Sequence, residues 1–281
     1  MSARDSFPGL SHKGRIAFVT GGGSGIGRET ALTLADLGAD VAILDWTKGA
    51  ADDTAAEIRR IGRRALAFTG DTGDEKTVVD AFATTRAELG EVDVAVACAG
   101  ILGDGGPVFQ NSVADFDKVM RVNVTGAFLV VREAAKGMRK RRSGAIVVLS
   151  SLDGLQAEHG MFSYCVSKGA LLNLARAAAL DLARDNVTVN AVCPSVTYTP
   201  LLEGRLAQIP TGKQVLASYA ERHPLGRVLT SRDIASAIAY VTSPIASGIT
   251  GAAIPVDAGI GATWDNFRDP PWITAGKVPS A

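Results

Sequence analysis

From about residue 14 the chain alternates short runs of consecutive apolar residues with longer amphipathic stretches. Ile16 to Val19 runs into glycines, Val41 to Leu44 ends at Asp45, and Ala65 to Phe68 ends at Thr69-Gly70. Val92 to Ala97 precedes Ala99-Gly100, Ala145 to Leu149 ends at Ser150-Ser151, Val187 to Val192 leads into Pro194, and Ala252 to Val256 lies near the end. Runs that are apolar at every position predict strands buried on both faces, as in a parallel sheet covered by helices. Between them, helical spacing predicts helices over roughly 25–37, 50–61, 74–89, 112–141 (with a break), 163–184 and 230–242. The repeated strand-helix order predicts an α/β fold, a doubly wound parallel sheet of about seven strands with helices on both faces.

No Pro/Gly/Ser-rich linker, charge break or internal repeat divides the chain, so a single domain is expected over 1–281. Within it, 1–13 reads as a loose leader and 201–222 as an insertion over the substrate side, interrupted by Pro210-Thr211-Gly212. Residues 262–281, with Trp264, Phe267 and Trp272, read as an aromatic tail.

Charge narrows the partners. The 281 residues carry 29 basic and 29 acidic side chains, so there is no cationic surplus to neutralise phosphates, and no nucleic-acid partner is expected. No apolar run approaches the ~18 residues of a membrane span, and Met1 to Asp5 lacks the apolar core of a secretory signal. Cys98, Cys165 and Cys193 are odd in number and sit among apolar neighbours, which reads as free thiols of a cytoplasmic protein. His12, His159 and His223 are too scattered to form a metal site.

The candidate chemistry begins at the first strand-helix turn, Thr20-Gly21-Gly22-Gly23-Ser24-Gly25-Ile26-Gly27. Glycines let a backbone approach a pyrophosphate, and the helix N-terminus behind them offers free N–H groups and positive dipole charge. The second strand ends at Asp45, 18 positions after Gly27, with Trp46 next. A carboxylate there accepts from adenosine ribose hydroxyls and repels a 2′-phosphate, which favours NAD over NADP.

Tyr164 and Lys168 lie one helical turn apart and can address one ligand. A tyrosine base at neutral pH needs its anion stabilised by roughly 4 kcal/mol to bring a phenol down by about three units. A lysine ammonium and a positively charged nicotinamide could supply that together. Ser151 stands at the carboxyl edge of the fifth strand, 13 residues before Tyr164, and Asn123 sits in a helix between apolar neighbours.

In this set the chain resembles the short-chain dehydrogenase/reductase family, from about Lys13 to Gly259. The resemblance implies a Rossmann-like fold and hydride transfer between NAD and a secondary alcohol or ketone of medium size. It assigns Tyr164 as general base or acid, Lys168 to the nicotinamide ribose, Ser151 to the substrate oxygen and Asn123 to a relay water. It also brings Asp71 to the adenine, and Thr72, Ala99, Gly100, Pro194, Thr197 and Thr199 to the cofactor. Ser151, Asp153, His159, Tyr164, Val196 and Leu201 are the expected substrate contacts, and a homotetramer is the expected assembly. Two departures stand out: Cys98 replaces the family's Asn before Ala99-Gly100, and Ser195 replaces the Gly after Pro194. Within the family the second reading is an NAD-dependent 3-oxoacyl thioester reductase. Outside it, a halohydrin-cleaving lyase would have arginine for Lys168 and a spoiled glycine loop. A non-catalytic NAD(H)-binding regulator would have lost Tyr164 or Lys168.

Overall fold

The computed structural model describes residues 10–262; the tail aromatics Trp264, Phe267 and Trp272 and most of the leader lie outside it. In chain order the strands and α-helices are β1 (Ile16–Thr20), α1 (Gly25–Asp36), β2 (Asp40–Asp45), α2 (Ala50–Arg60), β3 (Ala65–Thr69), α3 (Glu75–Glu88), β4 (Val94–Ala97) and α4 (Val113–Met120). They continue with α5 (Gly126–Arg141), β5 (Gly144–Leu149), α6 (Leu152–Leu155), α7 (Phe162–Leu182), β6 (Val187–Pro194) and β7 (Thr197–Tyr198). The last are α8 (Pro200–Ala207), α9 (Gly212–Arg222), β8 (Leu229–Thr230), α10 (Ser231–Thr242) and β9 (Ala253–Val256).

Seven strands form one parallel sheet in the order β3-β2-β1-β4-β5-β6-β9. Every residue of β1, β2 and β4 is buried, as consecutive apolar positions require when helices cover both faces. One core layer joins the sheet to α3, α5 and α7, with Phe18 stacked on Phe82 at 4.0 Å between ring centroids. The other joins it to α1, α2 and α10. The strand order reverses between β1 and β4, and ligands of such sheets bind in the crevice outside their carboxyl ends there.

Three features differ from the sequence expectation. The break expected in 112–141 is a π-helical turn, Arg121–Thr125, between α4 and α5, and it carries Asn123. The insertion at 201–222 is two helices: Pro200 opens α8 behind Thr199, whose hydroxyl accepts from Leu202 N at 3.3 Å. Its interruption is a tight turn, because a Cβ on Gly212 would lie 2.2 Å from Leu206 O. Finally, β7 and β8 form a separate parallel pair that holds the segment Thr197–Tyr198 against the start of α10. Among the described residues no helix is long and apolar enough to cross a membrane.

Candidate active site

A cleft of about 580 Å³ runs along the carboxyl ends of the strands. One end is the glycine loop. Gly21 has φ +64°, and a Cβ there would lie 2.9 Å from Ala99 Cα at the end of β4; a Cβ on Gly27 would lie 2.1 Å from Gly21 O. No other residue fits this loop, and the open backbone it creates suits a dinucleotide pyrophosphate at the start of α1. Asp45 is buried and organises the turn: Oδ2 accepts from Gly23 N at 2.9 Å and Oδ1 from Thr47 N at 2.8 Å. Each oxygen keeps a lone pair for a ribose hydroxyl. Further along, Asp71 accepts from Arg121 Nη1 at 2.6 Å and from Gly73 N at 2.8 Å. Thr72 lines the same cleft, and its buried Oγ1 has no hydrogen-bond partner. The donor set, the collapsed glycine turn and this orphaned hydroxyl fit an adenine dinucleotide.

Ser151, Asp153, Tyr164 and Lys168 also line the cleft. Lys168 is buried on α7, and its Nζ donates to Leu149 O at 2.7 Å while lying 5.4 Å from the centroid of the Tyr164 ring. Burial pulls its ammonium down to about 8, against the raising effects of the Cys98, Cys193 and Asp153 charges. Burial drives the Tyr164 phenol above its ordinary value, the Asp153 charge adds to this, and hydrogen bonding from Ser151 opposes both. Ser151 begins α6, where its Oγ accepts from Asp153 N at 3.1 Å and lies 3.5 Å from Pro194 O. The Asp153 carboxyl is pushed up to about 6, first by burial and then by Glu158, while Ser151, Lys168 and Arg205 pull it back.

All the predicted cofactor residues line this cleft, as do Ser151, Asp153, Tyr164, Val196 and Leu201. Asn123 and His159 do not. Asn123 lies buried beneath the floor: Nδ2 donates to Ile101 O at 3.0 Å and Ser167 Oγ at 2.9 Å, and Oδ1 accepts from Ile101 N at 2.8 Å. Its side chain clamps the loop after β4 to α7. His159 is exposed and is not among the residues lining the cleft. Gly154 packs so closely on α7 that a Cβ would meet Lys168 O at 2.6 Å; beyond it Gln156, Ala157 and Glu158 line the cleft, and Gly160 has φ +78°.

The two departures have structural answers. Thr20 Oγ1 accepts from Cys98 N at 3.2 Å and Ala99 N at 3.3 Å, so β1 supports the edge of β4 where Cys98 has no amide to do so. Ser195 does not adopt positive φ. Its hydroxyl instead meets Nε2 of the buried His223 at 2.9 Å. His223 Nδ1 faces the Tyr219 carbonyl, which can only accept, so Nδ1 carries the proton and Ser195 donates to Nε2. This pair ties the end of α9 to the loop after β6. Sequence reading passed over Met161, Arg205, Tyr219 and Arg222, which also line the cleft. Basic residues inside a lid insertion were the available signal.

The profile of a family described as Enoyl-(Acyl carrier protein) reductase matches residues 21–261. The chain is 40% identical over 245 residues to cis-4-hydroxycyclohexanecarboxylate dehydrogenase of Sinomonas cyclohexanicum, covering 87% of this chain and 96% of that one. The fold superposes on the crystal structure of levodione reductase with a TM-score of 0.87 at 28% identity, covering 90% of this chain and 99% of that one. It also superposes on 3-ketoacyl-(acyl-carrier-protein) reductase from Brucella melitensis complexed with NADH, with a TM-score of 0.81 at 31% identity over 89% and 100% of the two chains.

Proposed function

The chain belongs to the short-chain dehydrogenase/reductase family, and from that premise we propose that it interconverts a medium-sized secondary alcohol and its ketone with NAD as hydride carrier. The observation that carries this is the convergence of Ser151, Tyr164 and Lys168 on the cleft that begins at the glycine loop. When bound, NAD would supply the hydride acceptor for the carbinol carbon, and NADH the hydride donor for the carbonyl. Tyr164 Oη takes the hydroxyl proton in oxidation and gives it back in reduction. Ser151 Oγ donates to the substrate oxygen as its charge changes. The Lys168 ammonium favours the phenolate from within the same helix, and Asn123 keeps the loop after β4 closed on α7, holding Gly100 and Ile101 at the cleft. A relay water at Asn123 is left to its main chain, since both amide protons of the side chain are spent.

NAD is favoured over NADP because the Asp45 carboxylate, buried and anchored by two backbone N–H groups, would face a 2′-phosphate. The test is reduced-nicotinamide absorbance with secondary alcohols: Tyr164→Phe should lose about a thousandfold or more in kcat while NADH binding stays within a few-fold. Turnover by that variant near the wild-type rate would sink the assignment, and preference for NADP would sink the Asp45 argument.

The reading as a 3-oxoacyl thioester reductase draws on the likeness to the Brucella enzyme; oxidation of cyclic alcohols in preference to 3-hydroxyacyl thioesters would count against it. We also propose that the chain is cytoplasmic and assembles as a homotetramer. Exposed Phe109, Val113, Phe128, Phe162 and Val166, on and beside α4, α5 and α7, support the assembly. Sedimentation velocity should show four chains, and a monomer at micromolar concentration would overturn it.

A further inference from the structure

Resting on the oxidoreductase reading above, we propose that the alcohol substrate carries a carboxylate remote from its carbinol carbon, held by Arg205 of the α8–α9 lid. Arg205 lines the same cleft as the reacting groups. Its Nη1 lies 2.9 Å from Met161 Sδ, a thioether and therefore a weak acceptor. Met161 is the buried N-cap of α7 and precedes Tyr164 by three residues, so the guanidinium stands at the same end of α7 as the tyrosine. A hydroxy acid with its hydroxyl at Tyr164 and Ser151 would place its other end at this cation.

Two arginines line the cleft, Arg205 and Arg222, and among the described residues neither holds a carboxylate. Arg63, Arg64, Arg121, Arg132, Arg139 and Arg227 each pair with a carboxylate. Arg205 forms no ion pair among the described residues, and its one side-chain hydrogen bond goes to sulfur. Its planar fork of donors matches a carboxylate in the bidentate arrangement. A second cation, Arg222 at the end of α9, lines the cleft too and stacks on the Tyr219 ring at 4.8 Å, again without an acidic partner among the described residues. Asp153 and Glu158, on and just beyond α6, line the cleft too; their charges disfavour an anion at α6, whereas the two lid arginines favour one at α8 and α9. The assignment concerns recognition alone: no proton or hydride moves at Arg205.

The test is calorimetric titration of cyclohexanecarboxylate, and of the neutral cyclohexanecarboxamide, into the full chain saturated with NADH. The carboxylate should bind at least tenfold more tightly than the amide. Arg205→Gln should erase that difference, Arg205→Lys should keep part of it, and neither should change the affinity for NADH more than twofold. No binding of the carboxylate, equal affinity for the two ligands, or a difference that survives Arg205→Gln would overturn the proposal. So would a tenfold loss of NADH affinity in Arg205→Gln, which would make the arginine a cofactor contact. The readout needs no turnover, so failure of alcohol oxidation in the absorbance assay would be a separate result, counting against the oxidoreductase reading and not against anion binding.

Discussion

At the scale of single residues, Asp153 sets the electrostatic level of the reaction centre. Its carboxyl is held near 6 by burial and by Glu158, and its charge opposes ionisation of Tyr164. Asparagine at this position keeps the shape and the polarity and removes the charge. Asp153→Asn should therefore ionise Tyr164 at lower pH, moving the acid limb of the alcohol-oxidation profile down by about half a unit to one unit. The measurement is kcat/KM against pH between 5 and 9. An unmoved limb would mean that solvent screens the two groups. The proposed catalytic residues were legible because each sits where a strand or helix period puts it: Ser151 just past an apolar run, Lys168 one turn after Tyr164. His159 lies outside the cleft lining, and the course of the chain past Gly154 depends on how closely Gly154 approaches α7, of which a sequence carries no record.

Elements tell a similar story. The seven sheet strands were readable as uninterrupted apolar runs, and the Thr230 cap with Asp233 three residues on marks the start of α10 in the letters themselves. The lid was not readable. Its helices α8 and α9 are mostly exposed, bury little apolar surface and are separated by Pro210-Thr211-Gly212, so no periodic stripe announces them. What fixes them is a contact between distant residues, the Ser195–His223 hydrogen bond, 28 positions apart. Ser195→Gly would leave Nε2 of a buried imidazole without its donor, at a cost of about 1–3 kcal/mol in lid closure. The expected result is a KM for the alcohol raised roughly fivefold or more with kcat changed less than twofold. A fall in kcat with KM unchanged would place the serine in the chemical step instead.

At the scale of the whole molecule, His12 joins the approach to β1 with the far end of the chain. Its Nε2 donates to Ala239 O of α10 at 3.0 Å, while neighbouring Arg15 reaches Thr242 O at 2.5 Å and Asp93 O at 3.0 Å. The imidazole is fully buried, and burial, helped by the Arg15 charge and opposed by the Ala239 carbonyl, lowers its pKa from 6.5 to about 4. Between those values the unfolded chain binds a proton that the folded one refuses, so stability rises with pH across this window. It is lost as the pH falls through it. From pH 7 to pH 5 this single group should remove about 2 kcal/mol. His12→Gln keeps an Nε2 donor for Ala239 and cannot titrate. Its urea-unfolding free energy should therefore fall less than that of the wild type over the same interval, by about that amount, with both close together at pH 7 apart from the packing difference. Parallel losses in the two proteins would mean that protonated His12 finds a partner in the fold, and that acid sensitivity has its source in the carboxylates that pair with arginines around the sheet.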